Sequence, residues 1–148
     1  MSLSGGIHRF GQRVIVQNEQ MRRAIIIELF GSVIKDTPVD TGRARANWQT
    51  EINAPKTNEL NTTDKTGAGA KAEVVGKANA SRWGDALHLT NNLPYIFKLE
   101  YGGYPNPPRT TSGKTVNGFS KQAPQGMFRR NILRITAIVQ KHARRLSR

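Results

Sequence analysis

The residues of this chain whose types could do chemistry are three histidines, one Gly-Lys-Thr tripeptide and a few scattered carboxylates. A nucleophile needs a base within hydrogen-bond reach. His8, His88 and His142 lie far apart in sequence and none sits in a catalytic motif. His142 falls on an apolar helical seam and reads as a satisfied core or interface histidine. His8 and His88 read as surface groups. There is no cysteine, which excludes disulfides and thiolate metal sites. No cluster of histidines and carboxylates has metal-ligand spacing. Gly113-Lys114-Thr115 has the ending of a phosphate-binding loop. The full pattern needs a glycine five residues earlier, where Pro108 stands, and a preceding apolar strand, which is missing. Ser112-Gly113 therefore reads as turn chemistry. Gly67-Ala68-Gly69-Ala70-Lys71 reads as a flexible segment or a helix start. Asp40 is the best acidic candidate for an active role, against the simpler reading of a turn or N-cap carboxylate. Glu51 and Glu100 are candidates to pair with arginines, an interaction worth about 0–1 kcal/mol when exposed. These residues nominate no catalytic group, no metal site and no cofactor site, so an enzyme is not expected.

Charge says more than chemistry. The chain has 148 residues and a net charge of +13. Residues 1–100 hold 13 basic and 10 acidic groups, whereas residues 101–148 hold 10 basic and none acidic. Glu100 is the last acidic residue. Such asymmetry suits an anionic partner: nucleic acid, a membrane surface or an acidic protein face. The plainer alternative is a solvated basic surface. Arg130, Arg134, Lys141, Arg145 and Arg148 form a C-terminal basic stripe compatible with salt-dependent phosphate contacts. Aromatic residues for base stacking are sparse there, only Phe119 and Phe128 after Tyr104, and no reader module is visible. DNA, if touched, would be met as a charged rod. No run approaches the roughly 20 apolar residues of a membrane span, and the first six residues lack a signal-peptide pattern.

The elements that must position these groups follow from periodicity. Hydrophobic residues make up 36% of the chain, enough for one domain with a modest core. Ile7 to Ile34 predicts a long helix, with Ile7, Phe10, Val14, Met21, Ile25 and Leu29 on one face. Pro38 ends it. Thr37 to Gly42 predicts a turn, followed by a short helix through Arg45. Asn47 to Asn53 alternates as a strand. Residues 54–69 read as a mobile loop. Ala70 to Ala80 favours helix, with Ala72, Val75 and Ala78 or Asn79 on its stripe. Trp83 to Asp85 reads as a turn and Ala86 to Thr90 as a strand. Pro94 starts a brief helix through Leu99. Residues 103–119 read as a second mobile loop, with a hairpin over Thr110 to Val116. The last helix carries a seam of Phe128, Ile132, Ile135, Val139, His142 and Leu146. No internal repeat is present. The predicted fold is a single α+β domain over 1–148, with a long N-terminal helix and a C-terminal helix packed on a small, mostly antiparallel sheet.

Three blocks carry a resemblance. They are Thr37-Pro38-Val39-Asp40-Thr41-Gly42-Arg43-Ala44-Arg45-Ala46-Asn47-Trp48, then Leu89-Thr90-Asn91-Asn92-Leu93-Pro94-Tyr95 with Leu99-Glu100-Tyr101-Gly102, and then Ser120-Lys121-Gln122-Ala123-Pro124-Gln125-Gly126-Met127. Together, in order, they resemble the neck or tail-completion family of tailed bacteriophages, of the minor tail protein Z kind. The similarity spans roughly residues 10–145. It implies a small α+β structural protein of the virion, made in the bacterial host cytoplasm, without enzymatic activity or cofactor. It implies a place at the head-proximal end of the tail, joining head to tail. The implied neighbours are the tail terminator, tail tube and head-completion proteins, in a homo-oligomeric ring with six copies favoured and no membrane contact. The assembly residues it marks are Asp40, Thr41, Gly42, Asn91, Asn92, Leu93, Pro94, Tyr95, Glu100, Tyr101, Gly102, Lys121, Gln122, Ala123 and Pro124. The alternative function is non-specific nucleic-acid binding. The chain departs from the family pattern at Gly103 to Phe119, where relatives have a very short link. The insertion reads either as an arm toward a neighbouring subunit or as a surface loop.

Overall fold

A computed structural model of the chain describes residues 3–105 and 113–147. The order is α1 (Leu3–Asp36), α2 (Arg43–Ala46), β1 (Gln49–Ile52), α3 (Ala68–Ala80), β2 (Leu87–Thr90), α4 (Ile96–Tyr101), β3 (Thr115–Val116), β4 (Phe119–Ser120), α5 (Phe128–Ile132) and α6 (Ile135–Leu146). This is an α+β fold, as the periodicity predicts. The strands form two separate antiparallel ladders. β1 pairs β2 with Gln49 opposite Thr90 and Ile52 opposite Leu87. β3 pairs β4 across an Asn117-Gly118 turn, both residues at positive φ, the geometry that closes two-residue hairpins.

Helix α1 is the organising rod. Its C-terminal half packs against α3, α5 and α6, and α3 in turn packs on β1. Val33 and Ile34 are fully buried and meet Trp48, Val74, Leu93 and Met127 in one core. Burying a side chain of that size is worth about 1.5–3 kcal/mol. The helix stops through side-chain chemistry. Thr37 donates its hydroxyl to the Val33 carbonyl at 2.8 Å and accepts the Trp48 indole N–H at 2.7 Å. Arg45 donates to the carbonyls of Lys35 and Thr37 at 2.7 and 2.8 Å. Terminal carbonyls that the helix itself leaves without partners are thereby satisfied.

Several local expectations need correction. The apolar face of α1 is not buried along its length: Ile7 is 64% exposed and Phe10 is 68% exposed. The domain is shorter than the helix, so the N-terminal half runs past it. On α3 the buried stripe is Ala70, Val74 and Ala78, and Val75 faces outward. Of the expected stripe Ala78 is buried while Ala72 and Val75 are exposed, because Gly76 and the alanines give little contrast between faces. The brief helix starts at Ile96 after a turn at Pro94-Tyr95, and runs to Tyr101. The last helix breaks at Leu133-Arg134, and its core residues are Asn131, Ile138 and His142. Of the predicted seam, Phe128, Ile132, Ile135 and Val139 are exposed. The hairpin lies at Thr115–Ser120. Thr110 to Ser112 of the predicted hairpin fall outside the described residues.

Residues 54–67 carry no regular secondary structure, yet side chains hold their backbone. Asn47 donates to the Leu60 carbonyl at 3.0 Å and accepts the Leu60 N–H at 2.7 Å. Gln49 donates to the Asn58 carbonyl at 2.7 Å, and Arg45 to that of Lys65 at 2.8 Å. Asp64 gathers the N–H groups of Thr66, Gly67 and Gly69 at the start of α3. The Thr66 hydroxyl and these N–H groups hold its carboxyl down at about 2.

Candidate assembly site

The three sequence blocks lie far apart in the chain and meet in space. In the first, Gly42 has φ 91°, and a Cβ there would fall 2.6 Å from the Lys65 nitrogen, so only glycine fits the crossing. Asp40 and Thr41 are exposed beside it. Asp40 accepts from Lys114 at 2.9 Å, and both side chains are more than half exposed. The turn-carboxylate reading of Asp40 becomes an exposed ion pair worth about 0–1 kcal/mol.

The second block docks on the first. Asn91 donates to the Ala44 carbonyl at 2.8 Å while its oxygen accepts the Leu93 N–H at 3.3 Å. Asn92 donates to the carbonyls of Lys56 and Asn58 at 3.0 and 3.1 Å. The turn places Leu93 in the core, 1% exposed, and leaves Pro94 outside. Tyr95 is half-buried, and burial pushes its hydroxyl above the ordinary tyrosine range. Gly102 ends α4, its N–H reaching the Lys98 carbonyl at 3.0 Å.

The third block closes the assembly. The Gln122 side chain pairs with the Val39 backbone in both directions, accepting its N–H and donating to its carbonyl, each at 2.8 Å. One glutamine thus acts as a short strand against the first block. Ala123 is 1% exposed, whereas Lys121 and Pro124 face solvent.

Glu100 is the centre of this arrangement. It is 6% exposed and accepts the N–H groups of Met127, Phe128 and Arg129 at 2.8, 2.7 and 2.9 Å, and the Arg129 Nε–H at 3.0 Å. Burial pushes its pKa up, but the three backbone N–H groups and Arg129 outweigh that, and the carboxyl titrates below the usual range. Arg129 also donates to the Glu100 carbonyl at 2.7 Å and lies over the Tyr101 ring at 4.6 Å. Gly126 is explained here. It has φ 76°, and a Cβ would lie 2.6 Å from the Glu100 carbonyl oxygen. Sequence spacing placed Glu100 and Gly126 in separate blocks and could not reveal their contact.

Among the described residues, the face these blocks share is open. A cleft of about 940 Å³ runs between Pro38–Ala44, Tyr95, Leu99, Tyr104 and Ser120–Gln122. Beyond it Phe97 and Tyr101 stack at 6.2 Å with both rings more than half exposed.

The basic stripe is divided. Lys141 reaches Glu28 at 2.9 Å and Arg134 lies 3.9 Å from Asp36, so two of its members are offset by carboxylates of α1. Arg130 and Arg145 make no ion pair among the described residues. Arg148 lies outside them. His142 is 8% exposed, with Nε2 2.7 Å from Glu28, in accord with a satisfied histidine. The Lys141 hydrogen bond leads in holding Glu28 below its ordinary value; burial opposes it and His142 assists. His8 is exposed and His88 half-buried, in different parts of the fold. Among the described residues no three histidines or carboxylates are grouped to hold a metal ion, and no helix is long and apolar enough to cross a membrane. Sequence reasoning missed Asn131, which is fully buried and donates to Asp36 and to the Met127 carbonyl. A lone Asn among apolar helical residues was its signal.

Comparisons of the chain with protein-family models, with curated proteins and with solved structures find no match.

Proposed function

We propose that this chain is a structural subunit of a tailed-phage virion, acting in tail completion and head–tail joining. In this reading it belongs to a ring at the head-proximal end of the tail, six copies being the favoured number. Its neighbours are the tail terminator, the tail tube and the head-completion proteins. The observation that carries the reading is the convergence of the three resemblance blocks on one bracket. Val39 with Gln122, Ala44 with Asn91 and Glu100 with Met127–Arg129 join all three blocks by direct hydrogen bonds. Residues spread over 90 positions cooperate to hold one open face and, among the described residues, no reactive pair. A scaffold of that kind fits a part that docks.

The exposed apolar side chains point the same way. Phe10, Trp83, Phe97, Tyr101 and Leu133 are each more than half exposed. Of these, Phe97 and Tyr101 adjoin in one exposed stack, and contiguous apolar surface is the kind that marks interaction sites. The test is the mass of the purified protein in solution together with imaging of virions. A ring-sized species, and the chain at the head–tail junction, are expected; monomers absent from the particle would refute the reading.

The second reading, non-specific nucleic-acid binding, draws on the charge of the last third of the chain. It also bears on the ring, whose lumen the basic face would line. It predicts DNA binding whose affinity falls steeply with salt, with a slope near −0.9 per phosphate neutralised. Undetectable binding at low salt would end it. Arg130 and Arg145 turned to the outer rim of an imaged ring would remove the lumen assignment.

A further inference from the structure

The turn of the β3–β4 hairpin is also a reactive pair. Asn117 and Gly118 form it, with φ of 50° and 79°. Asparagine is among the thermally labile side chains. Its lability depends on the residue that follows, because the main-chain nitrogen of that residue is the nucleophile. Glycine has no Cβ to crowd the approach. No other asparagine in the chain precedes a glycine.

Local structure leaves this pair free to react. Asn117 is exposed, and neither its side-chain amide nor the Gly118 N–H makes a hydrogen bond among the described residues. Bringing the Gly118 nitrogen onto the side chain needs rotation about the Asn117 backbone, so the turn must open. Each strand has only two residues, Thr115 opposite Ser120 and Val116 opposite Phe119. A ladder so short opens locally at little cost. Asn53 is a built-in comparison. It too is exposed and at positive φ, 63°. Its amide, however, donates to Asp85 and accepts the Ala86 N–H, both at 2.9 Å, and Ala54 follows it.

We propose that Asn117 is a site of spontaneous deamidation that loosens the β3–β4 hairpin. Hydroxide takes the Gly118 amide proton, and the nitrogen attacks Cγ of Asn117. A cyclic imide forms as ammonia leaves with a proton from water. Water then opens the ring at either carbonyl, to aspartate or to isoaspartate, whose main chain runs through the side-chain methylene. In sum, one water is consumed and one ammonia released. Either product places a carboxylate in the stretch after Glu100, where the sequence has none. Isoaspartate also lengthens a two-residue turn that fixes the strand register. The bonds that tie the hairpin down then weaken: the Tyr104 N–H to the Gly118 carbonyl at 3.1 Å, and the Lys121 N–H to the Lys114 carbonyl at 2.9 Å. Thr115 and Ser120 line the cleft, so the hairpin wall of the cleft is the part that ages. This chemistry belongs to the turn and is independent of the virion reading.

The full chain is aged, folded, in warm and mildly alkaline buffer. Its peptides are followed by mass spectrometry with fragmentation that separates aspartate from isoaspartate. Conversion at Asn117 at least about tenfold faster than at Asn53 is expected, rising with pH and with isoaspartate among the products. Equal rates at the two positions, or reaction at Asn117 only when urea unfolds the chain, would overturn the proposal. The control Asn117→Gly keeps a residue suited to positive φ and has no amide to lose. In the converted fraction of wild type, hydrogen exchange at Tyr104 and Lys121 should rise at least about tenfold, while aged Asn117→Gly stays unchanged. Exchange that rises equally in both proteins, or in neither, would refute the loosening.

Discussion

Replacing Glu100 by glutamine keeps shape and volume and removes one charge. Either orientation of the new amide sets an NH2 group against two donors: the Met127 and Phe128 N–H groups on one side, or the Arg129 N–H and Nε–H on the other. Each orphaned buried donor costs about 1–3 kcal/mol. The Arg129 side chain is half exposed, so its Nε–H can turn to water and its share is discounted. The remaining bonds also fall from charge-assisted to neutral strength. Together these give a loss of about 2–4 kcal/mol, a large part of the roughly 5–15 kcal/mol that holds a domain folded. In a chain of this size the melting temperature should drop by about 6–12 °C. Urea unfolding of wild type, Glu100→Gln and Asp40→Asn measures it, because the Asp40–Lys114 pair is exposed and its loss should change stability by under about 0.5 kcal/mol. A Glu100→Gln protein as stable as the Asp40→Asn control would refute the claim that this carboxylate locks the second block to the third.

Other outcomes follow from the same contacts. Gly126→Ala forces a Cβ into the Glu100 carbonyl at positive φ and should cost about 2 kcal/mol or more, measured by the same unfolding assay. Gln122→Ala removes both bonds to Val39 and should loosen the first block without unfolding the core, raising hydrogen-exchange rates at Val39 and Asp40. His142→Ala leaves Glu28 with Lys141 alone and opens a gap under α6; a loss of about 1–3 kcal/mol is expected, with exchange protection falling along α6. Acid should destabilise the fold in a defined window. Glu51, held at about 2 by Lys77, the Ile52 N–H and Lys56, and Asp64, also at about 2, have folded pKa values below their ordinary ones. Their contribution is complete above about pH 4.5 and is lost as pH falls toward 2; stability that stays flat from pH 5 to 2 would contradict the assignment.

Much of the fold was legible because strong local patterns coincide with tertiary burial. Within the Asn47 to Asn53 alternation Gln49–Ile52 became β1, and the alanine-rich run became α3, because nothing else in those stretches competes. The faces were harder. On α3 small residues give almost no hydrophobic contrast. Along α5 and α6 the exposed seam of Phe128, Ile132, Ile135 and Val139 has better periodicity than the Asn131–Ile138–His142 row that the core uses. The sequence row marks what is apolar, whereas the core row is set by where α1 presents Asp36 and Glu28. Irregular residues 54–67 looked like a loop and are one, but three amides and one arginine that fix them lie in other elements. The site divides similarly. The blocks were visible as blocks, and their mutual contacts were not, because Glu100 and Met127 are 27 positions apart and no local rule couples them.

The central claim is that this chain is a virion part that completes the tail and joins it to the head. Electron microscopy of particles assembled in the host without it tests that claim most directly. Filled heads and separate tails, restored to joined particles when the chain is supplied, is the predicted result. Intact, infectious particles assembled in its absence would contradict the account.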